Sequence, residues 1–271
     1  LRWTVVAASS PAWAKKVFPT LASSEEQVDK LWDEIFKTTR IYSDDPVKAW
    51  EEHDAAMREQ AERLNKEQFS ALHYTAPGTD IVIGLPKNHV WEGAGSFAAD
   101  GNEFMANMPT EEVFTAPDRN RVDGYITSTK PLSYAGTTLN EMKFTFKDGK
   151  VVEFSAKEGA DVLASLLDID EGAKHLGEVA LVPDPSPISQ SGITFFNTLF
   201  DENASNHLAL GAAYPFSVQG GTEMTKSELA EAGLNSSQTH VDFMVGSAQM
   251  NIDGIRKDGS KVPIFRNGDW A

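Results

Sequence analysis

Thr239-His240-Val241-Asp242-Phe243-Met244-Val245-Gly246-Ser247 is the stretch on which the reading of this chain turns. Its centre, 241–245, is a short apolar run that reads as a buried strand. In an extended chain, residues two apart project from the same face, so the imidazole of His240 and the carboxylate of Asp242 converge on one point. Taken alone, the pair reads equally as a buried hydrogen-bonded couple. A second buried strand, Gly177-Glu178-Val179-Ala180-Leu181-Val182, carries another acid. Between the two lie Glu202 and His207, whose spacing of five is poor for one helix face but closes if a turn forms around 203–206. With Glu112 added, six carboxylate and imidazole side chains are available. Such a set suits a hard or borderline divalent cation with an oxygen-rich shell, and is large enough for two ions. The expectation is a metal-dependent hydrolase, its ligand-type residues at strand ends and on loops where a sheet can fix their geometry.

Outward from these strands the chain changes character. Residues 2–8 look strand-like, and 12–17 form a short amphipathic segment. Ser23-Ser24-Glu25-Glu26 is a capping box, and Val28, Leu31, Trp32, Ile35 and Phe36 follow at helical spacing. Asp45-Pro46 opens a second helix with a cap and a first-turn proline, its apolar stripe being Val47, Trp50, Met57, Ala61 and Leu64. From about residue 71 strands and turns take over. Residues 80–85 read as a short strand. Met142, Phe144 and Phe146 alternate with polar residues, then turn at Asp148-Gly149 into 151–154, a hairpin. Ser155-Ala156-Lys157-Glu158 reads as another capping box opening a helix to about Leu167, and Asp253-Gly254 and Asp258-Gly259 as closing turns. The expected fold is α/β or α+β, with N-terminal helices in 1–70 leading into a mixed-sheet metal-binding domain over 71–271.

The bulk properties narrow the function. The 271 residues carry 40 acids against 24 bases, a net charge of −16. That excess argues against nucleic acid or an anionic membrane as partner, since both call for basic patches. No apolar run approaches a membrane span. Absence of cysteine excludes disulfides and thiolate metal sites. No basic leader with an apolar stretch opens the chain, and a chain starting at Leu1 within a strand-like run is expected to be a piece of something longer. His89 and Trp91 either line a pocket or are structural. His53 reads as a polar helix position, His73 and His175 as structural, and the run 51–62 as a solvated helix face. Trp32, Phe36 and Trp50 suit core or interdomain packing. Gly211 and Gly220-Gly221 lack the strand-then-phosphate-loop context, which excludes nucleotide binding.

Several segments resemble the M29 family of metallo-aminopeptidases, the thermophilic aminopeptidase type. They are 107–118, containing Asn107-Met108-Pro109-Thr110-Glu111-Glu112, then 177–182, 197–214, 239–247 and the closing 262–271. The resemblance spans nearly the whole chain and includes the order and spacing of the ligand-type residues. It implies that this is the C-terminal, metal-binding portion of a longer protein. It also implies that the metal ligands are Glu112, Glu178, Glu202, His207, His240 and Asp242, with Glu112 preferred over Glu111 from its register to the later motifs. Tyr214 matches the family's active-site tyrosine; otherwise it reads as an ordinary buried tyrosine.

The activity so implied is removal of N-terminal residues from peptides by a cytoplasmic homodimer using two divalent ions. Zinc or cobalt suits acids and imidazoles, with manganese or magnesium as alternatives. Two such ions share a water, lower its pKa and hold the substrate's amine and scissile carbonyl. Glu178 would bridge or act as base, and Tyr214 would donate a hydrogen bond to the oxyanion. One rival is another metal hydrolase such as a phosphoesterase, which would want Lys or Arg near the ligands. The other is a metal-binding fragment without catalysis.

Overall fold

The Ser23 hydroxyl oxygen accepts a hydrogen bond from Glu26 N–H while the Glu26 carboxylate accepts one from Ser23 N–H, so the expected capping box opens the helix Ser24–Thr38 (α2). The computed structural model describes residues 1–98 and 100–271. Helix Pro11–Val17 (α1) precedes α2, and helix Pro46–Glu67 (α3) follows, capped by Asp45 with proline in its first turn. In α1 and α2, Ala14, Leu31 and Ile35 pack with Ile188, Phe195 and Phe200 into a core of their own. In α3, Met57, Ala61 and Leu64 are buried as the stripe predicts, but Val47 is 69% exposed. It sits in the first turn of the helix, on the rim of a groove with Ile41, Trp50, Met105 and Met108.

Two sheets follow. Among the described residues the larger has eight strands, in the order Lys150–Ser155, Lys143–Lys147, Val122–Thr127, Thr79–Gly84, Ala71–Ala76, Asn251–Ile255, Lys261–Arg266 and Asp269–Trp270. The smaller has five, in the order His240–Met244, His207–Gly211, Leu176–Leu181, Val113–Thr115 and Glu92–Gly93. The named strands pair antiparallel in both. Helices grouped at the start and antiparallel ladders afterwards make this the α+β version of the expected fold. The sheets share one core: Leu72, Tyr74, Ile81 and Ile83 from the larger meet Val179, Leu208, Leu210, Val241 and Phe243 from the smaller. Burying one such side chain contributes about 1.5–3 kcal/mol, so this interface dominates the stability of the fold.

Four local readings give way. Residues 2–8 form no strand; Val5 alone makes a parallel bridge, to Asn107. Ser155 is not a helix cap, because the ladder claims it as the partner of Lys143, and helix Ala160–Leu167 (α4) starts instead from Gly159 in a left-handed conformation. Asp253-Gly254 is not a turn but lies inside a strand, where Gly254 pairs with Leu72 and any Cβ would strike the Phe69 ring at 2.6 Å. His53 is more than a polar helix position: its ring bonds Thr110 O at 2.8 Å. By contrast Asp148 and Gly149 both take positive φ, 49° and 84°, as the two-residue hairpin turn requires.

Candidate metal centre

Alternation along the strands of the five-stranded sheet sends Val179, Leu208, Leu210, Val241 and Phe243 to the core. The same alternation sends Glu178, His207, His240 and Asp242 to the opposite face. Register then decides which of these meet. Glu178 lies opposite Ala209, and Ala209 opposite Asp242, so a methyl group separates the two acids across three adjacent strands. His240 lies opposite Gly211, whose φ of +110° and approach to Thr239 O leave no room for a side chain. Small residues between the charged ones keep this face open.

The result is a chain of close approaches. His207 Nε2 lies 3.0 Å from Glu112 Oε2 and 3.6 Å from Glu178 Oε1. His240 Nε2 lies 3.6 Å from Glu178 Oε2 and 3.5 Å from Asp242 Oδ1. The two oxygens of Glu178 therefore face different imidazoles. Two sets of three donor atoms, one from Glu112, Glu178 and His207 and one from Glu178, His240 and Asp242, each fall within 4.8 Å of one another, with Glu178 common to both. Glu202, on the turn after helix Thr198–Asp201, reaches the same cavity. The turn expected between Glu202 and His207 is present as a short 3-10 stretch, Glu202–Ala204. Of the two neighbouring glutamates, Glu112 faces His207, whereas Glu111 pairs with Arg40.

The second nitrogen of each ring fixes its tautomer. His207 Nδ1 is 3.1 Å from Ser205 O and His240 Nδ1 is 2.7 Å from Ala212 O. A carbonyl can only accept, so each Nδ1 donates and each Nε2 is turned to the acids. Burial works against the imidazolium of His207, but bonding to Glu112 and Glu178 prevails and holds its pKa well above the usual value. His240 is raised to about 9 against its burial by pairing with Asp242. Burial, helped by neighbouring negative charge, lifts Glu178 and lifts Glu202 well above the carboxylate range. Asp242 moves the other way: burial disfavours its charge, but His240 and His207 outweigh it. Tyr214 is pushed up to about 12 by burial and the surrounding carboxylates.

These residues fit divalent cations. Four carboxylates and the His240 imidazole line one cavity, His207 lies directly behind Glu112 and Glu178, and Asp242 Oδ1 is buried without a hydrogen-bond donor. Lone pairs this basic, oriented by bonds from behind, draw a cation as readily as a proton. The cavity, of about 350 Å³, includes no Lys or Arg in its lining; its apolar walls are Trp3, Phe114, Tyr214 and Phe216. The Tyr214 ring stacks on Phe216 at 5.3 Å and lies 5.0 Å from the His240 ring. At 43% exposed it stands at the mouth and is not the buried tyrosine of the simpler reading. His89 and Trp91 are both buried away from this cavity and serve the core. Phe114 and Phe216 escaped notice in the sequence; alternation from Glu112 would have found Phe114, whereas Phe216 sits on an irregular segment with no periodic signal.

Acids and imidazoles sharing one central carboxylate, on the polar face of an antiparallel sheet, form the donor set of a protein that uses divalent metal. Residues 1–270 match the thermophilic metalloprotease (M29) family, to which this chain belongs. It is 64% identical to aminopeptidase PepS of Streptococcus thermophilus over 99% of this chain and 65% of that protein. Identity is 58% to aminopeptidase AmpS of Bacillus subtilis with the same coverage of each. The solved structure of wild-type AmpT from Thermus thermophilus superposes with a TM-score of 0.93 at 45% identity, covering 99% of this chain and 65% of that one. The chain thus spans about 65% of the length of the relatives it matches. Among the described residues, no helix is long and apolar enough to cross a membrane.

Proposed function

We propose that this chain carries the two-cation centre of an aminopeptidase that removes N-terminal residues from peptides. The observation that carries this reading is Glu178, with its two oxygens facing His207 and His240. Glu112 and His207 would hold one ion and His240 and Asp242 the other, with Glu178 shared and Glu202 completing the shell. Zinc or cobalt suits this mixture of acids and imidazoles, with manganese or magnesium as the harder alternatives. Bound there, the cations would acidify a shared water and polarise the scissile carbonyl.

The chain's own groups supply the rest. Glu178 would serve either as the shared ligand, with both oxygens engaged, or as the base that takes a proton from the attacking water and passes it to the leaving amine; its two oxygens facing His207 and His240 favour the shared role. The Tyr214 hydroxyl keeps its proton far above neutral pH, and so can donate to a developing oxyanion. Phe114, Phe216 and Trp3 limit water around the substrate. An acid-lined cavity without Lys or Arg favours the ammonium group of a peptide's first residue and disfavours phosphate esters. We place the metal-binding unit in 71–271 and read 1–70 as a helical segment that also packs on a further domain. The family resemblance supports a homodimer acting in the cytoplasm.

The test is metal content of the purified chain beside Glu178→Ala and His240→Ala, with turnover of aminoacyl chromogenic substrates. About two equivalents accompanied by turnover is the expected outcome, with both reduced in Glu178→Ala and about one lost in His240→Ala. Absence of bound metal after loading with zinc or cobalt would overturn the reading.

A further inference from the structure

Glu111 and Glu112 are the same residue twice, one bond apart, yet only Glu112 meets the metal centre. Glu111 is held on the far side by a two-pronged contact from Arg40: Nη1 to Oε1 at 2.6 Å and Nη2 to Oε2 at 2.9 Å. Its side chain is 4% exposed. Arg40 follows the end of α2 with a left-handed φ of 62°, and its guanidinium lies over the Trp50 ring at 5.2 Å. Arg40 Nη2 also donates to His53 Nδ1 at 3.2 Å. The remaining ring proton, on His53 Nε2, is then given to Thr110 O at 2.8 Å. From the opposite side, Glu111 N–H donates to Asn203 Oδ1 at 2.7 Å. The amide of Asn203 in turn reaches Leu199 O at 3.0 Å and Glu202 Oε1 at 3.5 Å.

We propose that Arg40, His53 and Glu111 are positioning residues for the metal centre, fixing the rotation of 110–112 so that Glu112 and not Glu111 is presented to His207. The inference rests on reading the cluster as a metal centre. In an extended segment a slip of one residue exchanges the two faces, and here the exchange would replace one glutamate by another of equal ligand chemistry. Nothing in the two side chains prevents it. The guanidinium fork does, because its planar donors match a carboxylate held in one orientation and its removal would leave Glu111 buried without a counter-charge. Arg40 lies 71 residues before its partner, so α2 and α3 act on the centre through this contact.

A purely structural clamp would weaken the whole fold; a positioning role weakens one cation site of two. Calorimetric titration of the full chain with Co²⁺ separates them, using Arg40→Lys, which keeps the charge but loses the fork, and Glu111→Gln, which keeps the shape. Denaturant unfolding in chelator is measured alongside. The expected result is that one binding event weakens by about 10–100-fold while the other stays at its wild-type affinity. Two wild-type binding events in both variants would overturn the inference, as would a parallel loss at both sites in proportion to stability. Wild-type protein that binds no Co²⁺ would instead overturn the metal reading itself, and the inference with it.

Discussion

The two faces of the five-stranded sheet are built from the same strands and buried to similar depth, yet they obey opposite physics. On one face Val179, Leu208, Leu210, Val241 and Phe243 exclude water and meet the larger sheet. On the other Glu178, His207 and Asp242 are also buried, but with charges that partly repel. The apolar face stabilises the fold. The polar face costs stability when it stands alone and is worth keeping only for what it binds. A strand alternating with period two can serve both purposes at once, one residue after another.

The sharpest way to break this contrast is to truncate each face in turn. Phe243 is buried and packs on Phe144 with ring centres 4.9 Å apart. Phe243→Ala is expected to lower unfolding free energy by about 3–5 kcal/mol in a denaturant titration. On the polar side, Tyr214→Phe should leave metal content and folding unchanged while reducing turnover by about 100–1,000-fold, the usual effect of deleting one oxyanion donor. Equal turnover in that variant would remove Tyr214 from the reaction. Ala209→Val probes the spacer between Glu178 and Asp242. The added methyl groups should weaken metal binding and cost about 1–3 kcal/mol, both readable from melting curves with and without Co²⁺.

The smallest effect concerns the run-in to the polar face. Asp170 accepts bonds from Ser237 Oγ at 2.8 Å, Gln238 N at 2.6 Å and Ala173 N at 2.9 Å, anchoring the segment just ahead of His240. The Gln238 amide, with these other donors, holds its carboxyl below the usual 3.8. A lowered folded pKa means the stabilisation is present above the unfolded value and is lost as pH falls through the folded one. Asp170→Asn should therefore cost about 1 kcal/mol or less at pH 7, allowing for its partial exposure, and the gap should close as pH falls below about 4.

Much of this was legible because it is local. The α2 capping box, the α3 cap and the alternation that pairs His240 with Asp242 all depend on residues a few positions apart. Where long-range pairing overrode a local signal, the sequence misled: Ser155 was claimed by Lys143, and Asp253-Gly254 by the strand Ala71–Ala76. The cluster itself joins residues from 112 to 242, and family resemblance rather than spacing linked them. The Arg40–Glu111 contact had no local trace at all, since an arginine after a helix and a glutamate 71 residues later carry no shared pattern.

On the proposed function, Glu178 would be shared between two cations. Metal stoichiometry of Glu178→Gln against wild type after loading with Co²⁺ tests it most directly, with unfolding in chelator to confirm the fold. Wild type is expected to hold about two equivalents and the variant less than about one, because removing a shared ligand damages both sites. A folded Glu178→Gln that still binds about two equivalents at wild-type affinity would contradict it.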